Sequence, residues 1–153
     1  MQDKIFSHQK PGQGALHNTP QQYDSVIDHC RNIFLNKTRD YGTSWRVLRP
    51  VSIVDQLYIK VQRIRTIQQL GTQQVDEHAE DEVAGIVKYG IIALIQSALK
   101  EDARIELDIK EAADWYDKEI AEAKKLMAAK NHDYGEAWRE MSQQSFIDLI
   151  LAK

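Results

Sequence analysis

The sequence predicts an all-α protein, a multi-helix bundle built from an incomplete tandem duplication. Three observations carry that reading. Apolar residues recur at i, i+3, i+4 and i+7 along most of the chain, the spacing that gives a helix one buried face. Glycine and proline are scarce, seven and three among 153 residues, so few positions oppose helix. A Lys-x-x-Asp-Tyr-Gly-x-x-Trp-Arg motif begins at Lys37 and again at Lys130.

Residues 1–18 hold Pro11, Gly12 and Gly14 and few large apolar groups, and are expected to form a mobile N-terminal tail. Residues 19–100 then read as a first helical repeat. Residues 101–153 read as a linker and a truncated second repeat sharing one core with the first. Thr19-Pro20-Gln21-Gln22 offers a cap, a proline at the first helical position and a capping-box glutamine. Tyr23, Ile27, Cys30 and Phe34 continue that first helix to about Lys37. After the Asp40-Tyr41-Gly42 turn, Trp45, Val47 and Leu48 predict a short helical piece closed before Pro50, because proline disfavours helix at the residue before it. Ser52 and Asp55 resemble a start for a second helix over 52–70, and Gly71 supplies its stop. The third helix, 75–100, opens on acids that suit the positive end of the helix dipole. It then passes into GIVKYGIIALI, apolar nearly all round and expected at the centre of the core. A fourth helix covers 110–131 through Trp115, Tyr116, Ile120 and Met127, and Phe146, Leu149 and Ile150 begin a fifth.

Sliding the chain against itself by 93 residues aligns Lys37 with Lys130, Asp40-Tyr41-Gly42 with Asp133-Tyr134-Gly135, and Trp45-Arg46 with Trp138-Arg139. Tyr23-Asp24 meets Tyr116-Asp117 upstream, and Ser52, Asp55 and Lys60 meet Ser145, Asp148 and Lys153 downstream. Such a repeat governs architecture and is read before any other signal. The second copy ends where the first is halfway along its second helix, and the apolar face of so short a last helix points to a homo-oligomer.

No segment has the apolar core of a signal peptide or a membrane span, so a cytoplasmic protein with no membrane partner is expected. The single cysteine, Cys30, lies among apolar residues and fits a reduced core position. Charge is unevenly spread. Between Arg31 and Arg65 eight basic residues face only Asp40 and Asp55, whereas residues 101–122 carry nine acids against three bases.

Every residue type in the motif has a structural explanation: Gly42 and Gly135 for positive φ, Asp40 and Asp133 for caps, Trp45 and Trp138 for the core. Packing explains less well why Lys37, Asp40, Tyr41 and Arg46 recur together as Lys130, Asp133, Tyr134 and Arg139. As a site, the Lys and Arg residues would contact phosphate, Tyr or Trp would stack on a base, and Lys60 and Arg63 would extend the cradle. The candidate ligand is a nucleotide or another phosphate-bearing molecule.

At this motif the chain resembles the nucleotide modification associated domain 1 family, DUF1599. The segments that carry the resemblance are FLNKTRDYGTSWRVLRPVSIVDQLYIKVQRIR, EDEVAGIVKYGIIALIQ and KLMAAKNHDYGEAWREMSQQSFIDLIL. The resemblance implies a helical protein, largely of bacteria and their phages, associated with nucleotide or base modification. It brings no established catalytic residues. A second, weaker resemblance is to the all-α nucleoside triphosphate pyrophosphatases of the MazG type, which hold magnesium on paired helical carboxylates. Glu77 and Glu80, with Glu111 and Asp114, have that i, i+3 form and are the metal ligands it implies, with Mg as cofactor. A helical protein-interaction module is the third reading. The five histidines show no metal-ligand spacing, and a phosphate-binding glycine loop is missing.

Overall fold

A computed structural model describes residues 18–72 and 78–153. The tail expected over 1–18 thus lies, except for Asn18, outside the described residues. Among the described residues there are five α-helices and two 3-10 turns: α1 (Thr19–Tyr41), a turn at Ser44–Val47, α2 (Pro50–Leu70), α3 (Ala79–Ala98), α4 (Ile109–Tyr134), a turn at Ala137–Glu140 and α5 (Gln143–Leu151). The all-α expectation holds. No described helix is long and apolar enough to cross a membrane.

Several boundaries differ from expectation for identifiable reasons. Helix α1 runs four residues beyond Lys37, because nothing from Thr38 to Tyr41 opposes helix and Gly42, at φ 67°, supplies the stop. Asp40 and Asp133 therefore sit in the last turns of α1 and α4 and cap no following helix. Helix α2 starts at Pro50 instead of Ser52, since a proline at the first helical position gives up an N–H that has no helical partner. Thr19 is the first residue of α1, not its cap, and Gln22 accepts from Arg139 Nη2 at 2.7 Å instead of closing a capping box. Helix α4 is capped by Asp108, whose carboxylate accepts from Lys110 N–H, and α5 by Ser142, whose hydroxyl accepts from Ser145 N–H.

Helix α3 packs against α1, α2 and α4. Its Ile91, Ile92 and Ile95 meet Phe34 of α1, Ile53 of α2, and Ala112 and Tyr116 of α4 in one buried cluster. Tyr116 is 0% exposed and its ring lies 4.8 Å from that of Phe34. Truncating an aromatic in such a place costs about 3–5 kcal/mol. Polar contacts fix α1 to α4 along the same seam: Tyr23 Oη donates to Ile120 O at 2.9 Å, and Arg31 pairs with Asp117 at 2.7 Å. Cys30 is buried there, and burial pushes its thiol pKa up, which keeps it protonated. A smaller cluster joins Val61 and Ile64 of α2 to Ile147 of α5. Helices α2 and α3 approach closely at Gly85, where an added Cβ would lie 2.7 Å from Lys60 Cε.

The two halves share their element boundaries. Shifted by 93, the end of α1, the first 3-10 turn and the start of α2 fall on the end of α4, the second 3-10 turn and the start of α5. The turns between them differ in backbone: Gly42 has ψ -159° where Gly135 has ψ 33°, and Glu136 has positive φ where Thr43 does not.

Candidate functional site

The first motif builds one wall of a cleft and α3 builds the other. Gly42 ends α1 with its N–H bonded to Thr38 O at 2.8 Å, turning the chain so that Thr43 enters the interior. Thr43 is 0% exposed; its Oγ1 donates to Ile105 O at 2.8 Å and accepts from Leu107 N–H at 2.9 Å. That pair of bonds ties the motif to the loop before α4. Gln96 of α3 then donates through Nε2 to the carbonyls of Trp45, Arg46 and Leu48 at 3.2, 3.0 and 3.0 Å. One side-chain amide thereby serves the Arg46 and Leu48 carbonyls and adds to the bond that the Trp45 carbonyl already accepts from Leu48 N–H.

Arg46 completes this frame. Its Nε donates to Arg104 O at 2.9 Å, its Nη2 to Asp102 O at 2.6 Å and its Nη1 to Gln96 Oε1. All three nitrogens of the guanidinium are thus occupied by protein acceptors. Arg139 is engaged in the same manner by Glu136, Thr19 and Gln22. Both motif arginines, expected as phosphate contacts, here bridge their turn to another part of the chain.

The frame leaves a cleft of about 340 Å³ lined by Lys37, Thr38 and Tyr41 from α1, Ser44 and Trp45 from the turn, and Lys88 and Tyr89 from α3, over a floor of Phe34, Leu48 and Ile92. Lys37, Tyr41 and Trp45 were legible in the sequence as site residues; Lys88 and Tyr89 were not. Among the described residues neither lysine forms an ion pair. Lys88 sits over the Tyr89 ring at 4.4 Å, and its ammonium is disfavoured first by burial and then by the charges of Lys37 and Lys60, which lower its pKa. Asp40 is exposed and does not line the cleft. Lys60 and Arg63 also lie apart from it: both bond Glu82, a carboxylate only 6% exposed, at 3.5 and 2.8 Å.

A second hollow, of about 400 Å³, is lined by Ala123, Leu126, Met127, Lys130, Asn131 and Trp138. These are the counterparts, at the same offset of 93, of Cys30, Ile33, Phe34, Lys37, Thr38 and Trp45. Trp138 Nε1 donates to Asn131 Oδ1 at 2.9 Å and its ring carries Arg139 at 4.5 Å, while Asp133 and Tyr134 are exposed. The hollow is lined by one cation, Lys130, where the first cleft is lined by two.

The carboxylates proposed for magnesium are not gathered. Glu77 lies outside the described residues. Glu80 and Asp114 are exposed, and Glu111 is held by Arg104 at 2.8 and 3.0 Å, which lowers its pKa. Among the described residues no three His, Cys, Asp or Glu side chains are placed to hold a metal ion.

With this geometry in view, the family comparison is informative. The model of the nucleotide modification associated domain 1 family, DUF1599, matches residues 37–97 and 130–153, more than half of the chain. The chain belongs to this family. No curated protein and no solved structure matches it. The first matched segment runs from Lys37 to one residue past Gln96, and so contains the whole cleft except Phe34. The second begins at Lys130, the repeat counterpart of Lys37. The matched sequence thus covers the first motif, Gln96 and the α3 wall, while the loop that anchors Thr43 and Arg46, residues 102–107, lies outside it.

Proposed function

We propose that the cleft between the first motif and α3 binds a nucleotide or another phosphate-bearing ligand, and that this binding serves nucleotide or base modification. The observation that carries the reading is the Lys37 and Lys88 pair. Two ammonium groups line one cavity whose lining residues include no carboxylate, and an anion entering it offsets the burial and like charge that disfavour the Lys88 ammonium. The aromatic rings of Tyr41, Trp45 and Tyr89 on the same lining offer faces for a base. The family's name, nucleotide modification associated domain 1, agrees in subject. A thermal-shift series with nucleotides, with and without magnesium, tests it: ligand at 100 times its dissociation constant stabilises by about 2.7 kcal/mol. The reading fails if none of the common ribo- and deoxyribonucleotides moves the melting temperature, or if Lys88→Met leaves the shift unchanged.

A second reading concerns partners. Phe146, Leu149 and Ile150 form an exposed apolar face on α5, and self-association through it gives a homo-oligomer.

A further inference from the structure

The charges that remain available at the cleft narrow the ligand beyond a nucleotide in general. This step rests on the binding reading above. Three cations of the first repeat were candidates for phosphate besides Lys37, and Arg49 stands close to them in sequence. Arg46 is spent on two carbonyls and Gln96, and Lys60 and Arg63 bond the buried Glu82. Arg49 stands at the N-cap of α2 and does not line the cavity. Only Lys37 and Lys88 line the cavity as cations with no ion pair among the described residues, two positive charges in all.

We infer that the cleft takes a nucleoside monophosphate, its single phosphate held between Lys37 and Lys88 and its base against the aromatic lining. A phosphomonoester carries about 1.5 to 2 negative charges at pH 7, which two ammonium groups match. A triphosphate brings further charge, which proteins answer with additional cations or with Mg²⁺ held by carboxylates. The described part of the chain offers neither here. Among the described residues no three His, Cys, Asp or Glu side chains are placed to hold a metal ion, and the buried carboxylate of Glu82 is already bonded by Lys60 and Arg63. Volume agrees: about 340 Å³ lies near the small end of the roughly 300–1,000 Å³ that ligand pockets span. The hydroxyls of Thr38 and Ser44 on the lining are suited to sugar or phosphate oxygens, although Thr38 Oγ1 already donates to Phe34 O at 2.8 Å and so serves as an acceptor.

Titration calorimetry of the full chain with AMP, GMP, CMP, UMP and dTMP, each beside its di- and triphosphate and beside inorganic phosphate, tests this with and without 5 equivalents or so of Mg²⁺. The expected result is at least one monophosphate bound tenfold or more tightly than its triphosphate and than phosphate alone, with tenfold or greater loss in both Lys37→Met and Lys88→Met. Removing a charge from the Lys88 site relieves desolvation, so that variant is expected to fold, and the exposed Lys37 supplies an independent check. A triphosphate bound as tightly as the monophosphate overturns the inference and leaves the binding reading standing. Failure of every nucleotide to bind overturns both. Inorganic phosphate bound as tightly as any nucleotide removes the nucleoside from the assignment.

Discussion

Replacing Arg46 with alanine separates a positioning role from a ligand-binding one. The guanidinium makes three hydrogen bonds, to the carbonyls of Arg104 and Asp102 and to Gln96 Oε1, two of them part-buried. Hydrogen bonds to a charged group contribute about 1.5–3 kcal/mol each when intact and less where water re-solvates the acceptor. The Arg104 carbonyl is at the surface and rehydrates; the Asp102 carbonyl and Gln96 amide do so less completely. The expected loss is therefore about 3 kcal/mol, near the lower end of the simple sum. For a chain of this size about 2–4 °C accompanies each kcal/mol, so calorimetry should show the melting temperature fall by about 6–12 °C. Gln96→Ala should cost a comparable amount, because it orphans the Arg46 and Leu48 carbonyls and takes an acceptor from Arg46, and the double variant should fall short of additivity by more than about 0.5 kcal/mol since the two side chains touch. Arg139→Ala should cost a similar amount, because two of its three bonds, to Glu136 and Thr19, are likewise part-buried. If Arg46→Ala melts within about 1 °C of the parent yet loses nucleotide affinity, the guanidinium is a ligand contact and the positioning argument is wrong.

Three further outcomes follow from other parts of the fold. Gly135→Ala should cost about 1 kcal/mol in urea unfolding and Gly42→Ala more, about 1–3 kcal/mol, because both lie at positive φ but Gly42, at ψ -159°, is in a region essentially reserved for glycine; a smaller cost at position 42 than at 135 would refute that view. Asp102 is held down to about 2 by Arg104 from an ordinary 3.8, so its contribution to stability is present above the ordinary value and lost as pH falls through the lower one. Carboxyl-carbon NMR should find that midpoint near 2 and see it return toward the ordinary range in Arg104→Ala. Light scattering should find a dimer or larger species that Ile150→Lys reduces to monomer, and a strictly monomeric parent at high concentration would exclude association through α5.

Element existence was readable in the sequence because it depends on short-range information. The amphipathic spacing, Pro20, Gly42 and Gly71 act within a turn or two, and the helices lie close to where those signals put them. The candidate site was half readable for the same reason. Lys37, Tyr41 and Trp45 belong to a contiguous motif, whereas Lys88 and Tyr89 come from α3, forty residues or more further on, and only tertiary packing brings them opposite. A signal for Lys88 did exist: it is the one cation within GIVKYGIIALI, a stretch otherwise apolar enough that a charge there needs a reason. The commitments of Arg46, Lys60 and Arg63 could not be read at all, since their partners Gln96, Asp102, Arg104 and Glu82 are remote in sequence and carry no pattern linking them.

Local identity between the two motifs also fails to fix which helix face is buried. In the first half Ile53 is 2% exposed beneath α3 while its neighbour Val54 points outward at 59%. Their counterparts reverse: Phe146 is 36% exposed, and Ile147 is buried at 8% against Val61 and Ile64. The backbone boundaries are the same, so the difference lies in the surface available to cover each helix. Helix α3 covers one side of α2, whereas α5 packs its other side onto α2 itself. The same difference in neighbours separates the two described hollows, of which the first is lined by two lysines and the second by one. Lys37 and Lys130 are equivalent, and what distinguishes their surroundings is a third helix bringing a second lysine across from the first of them.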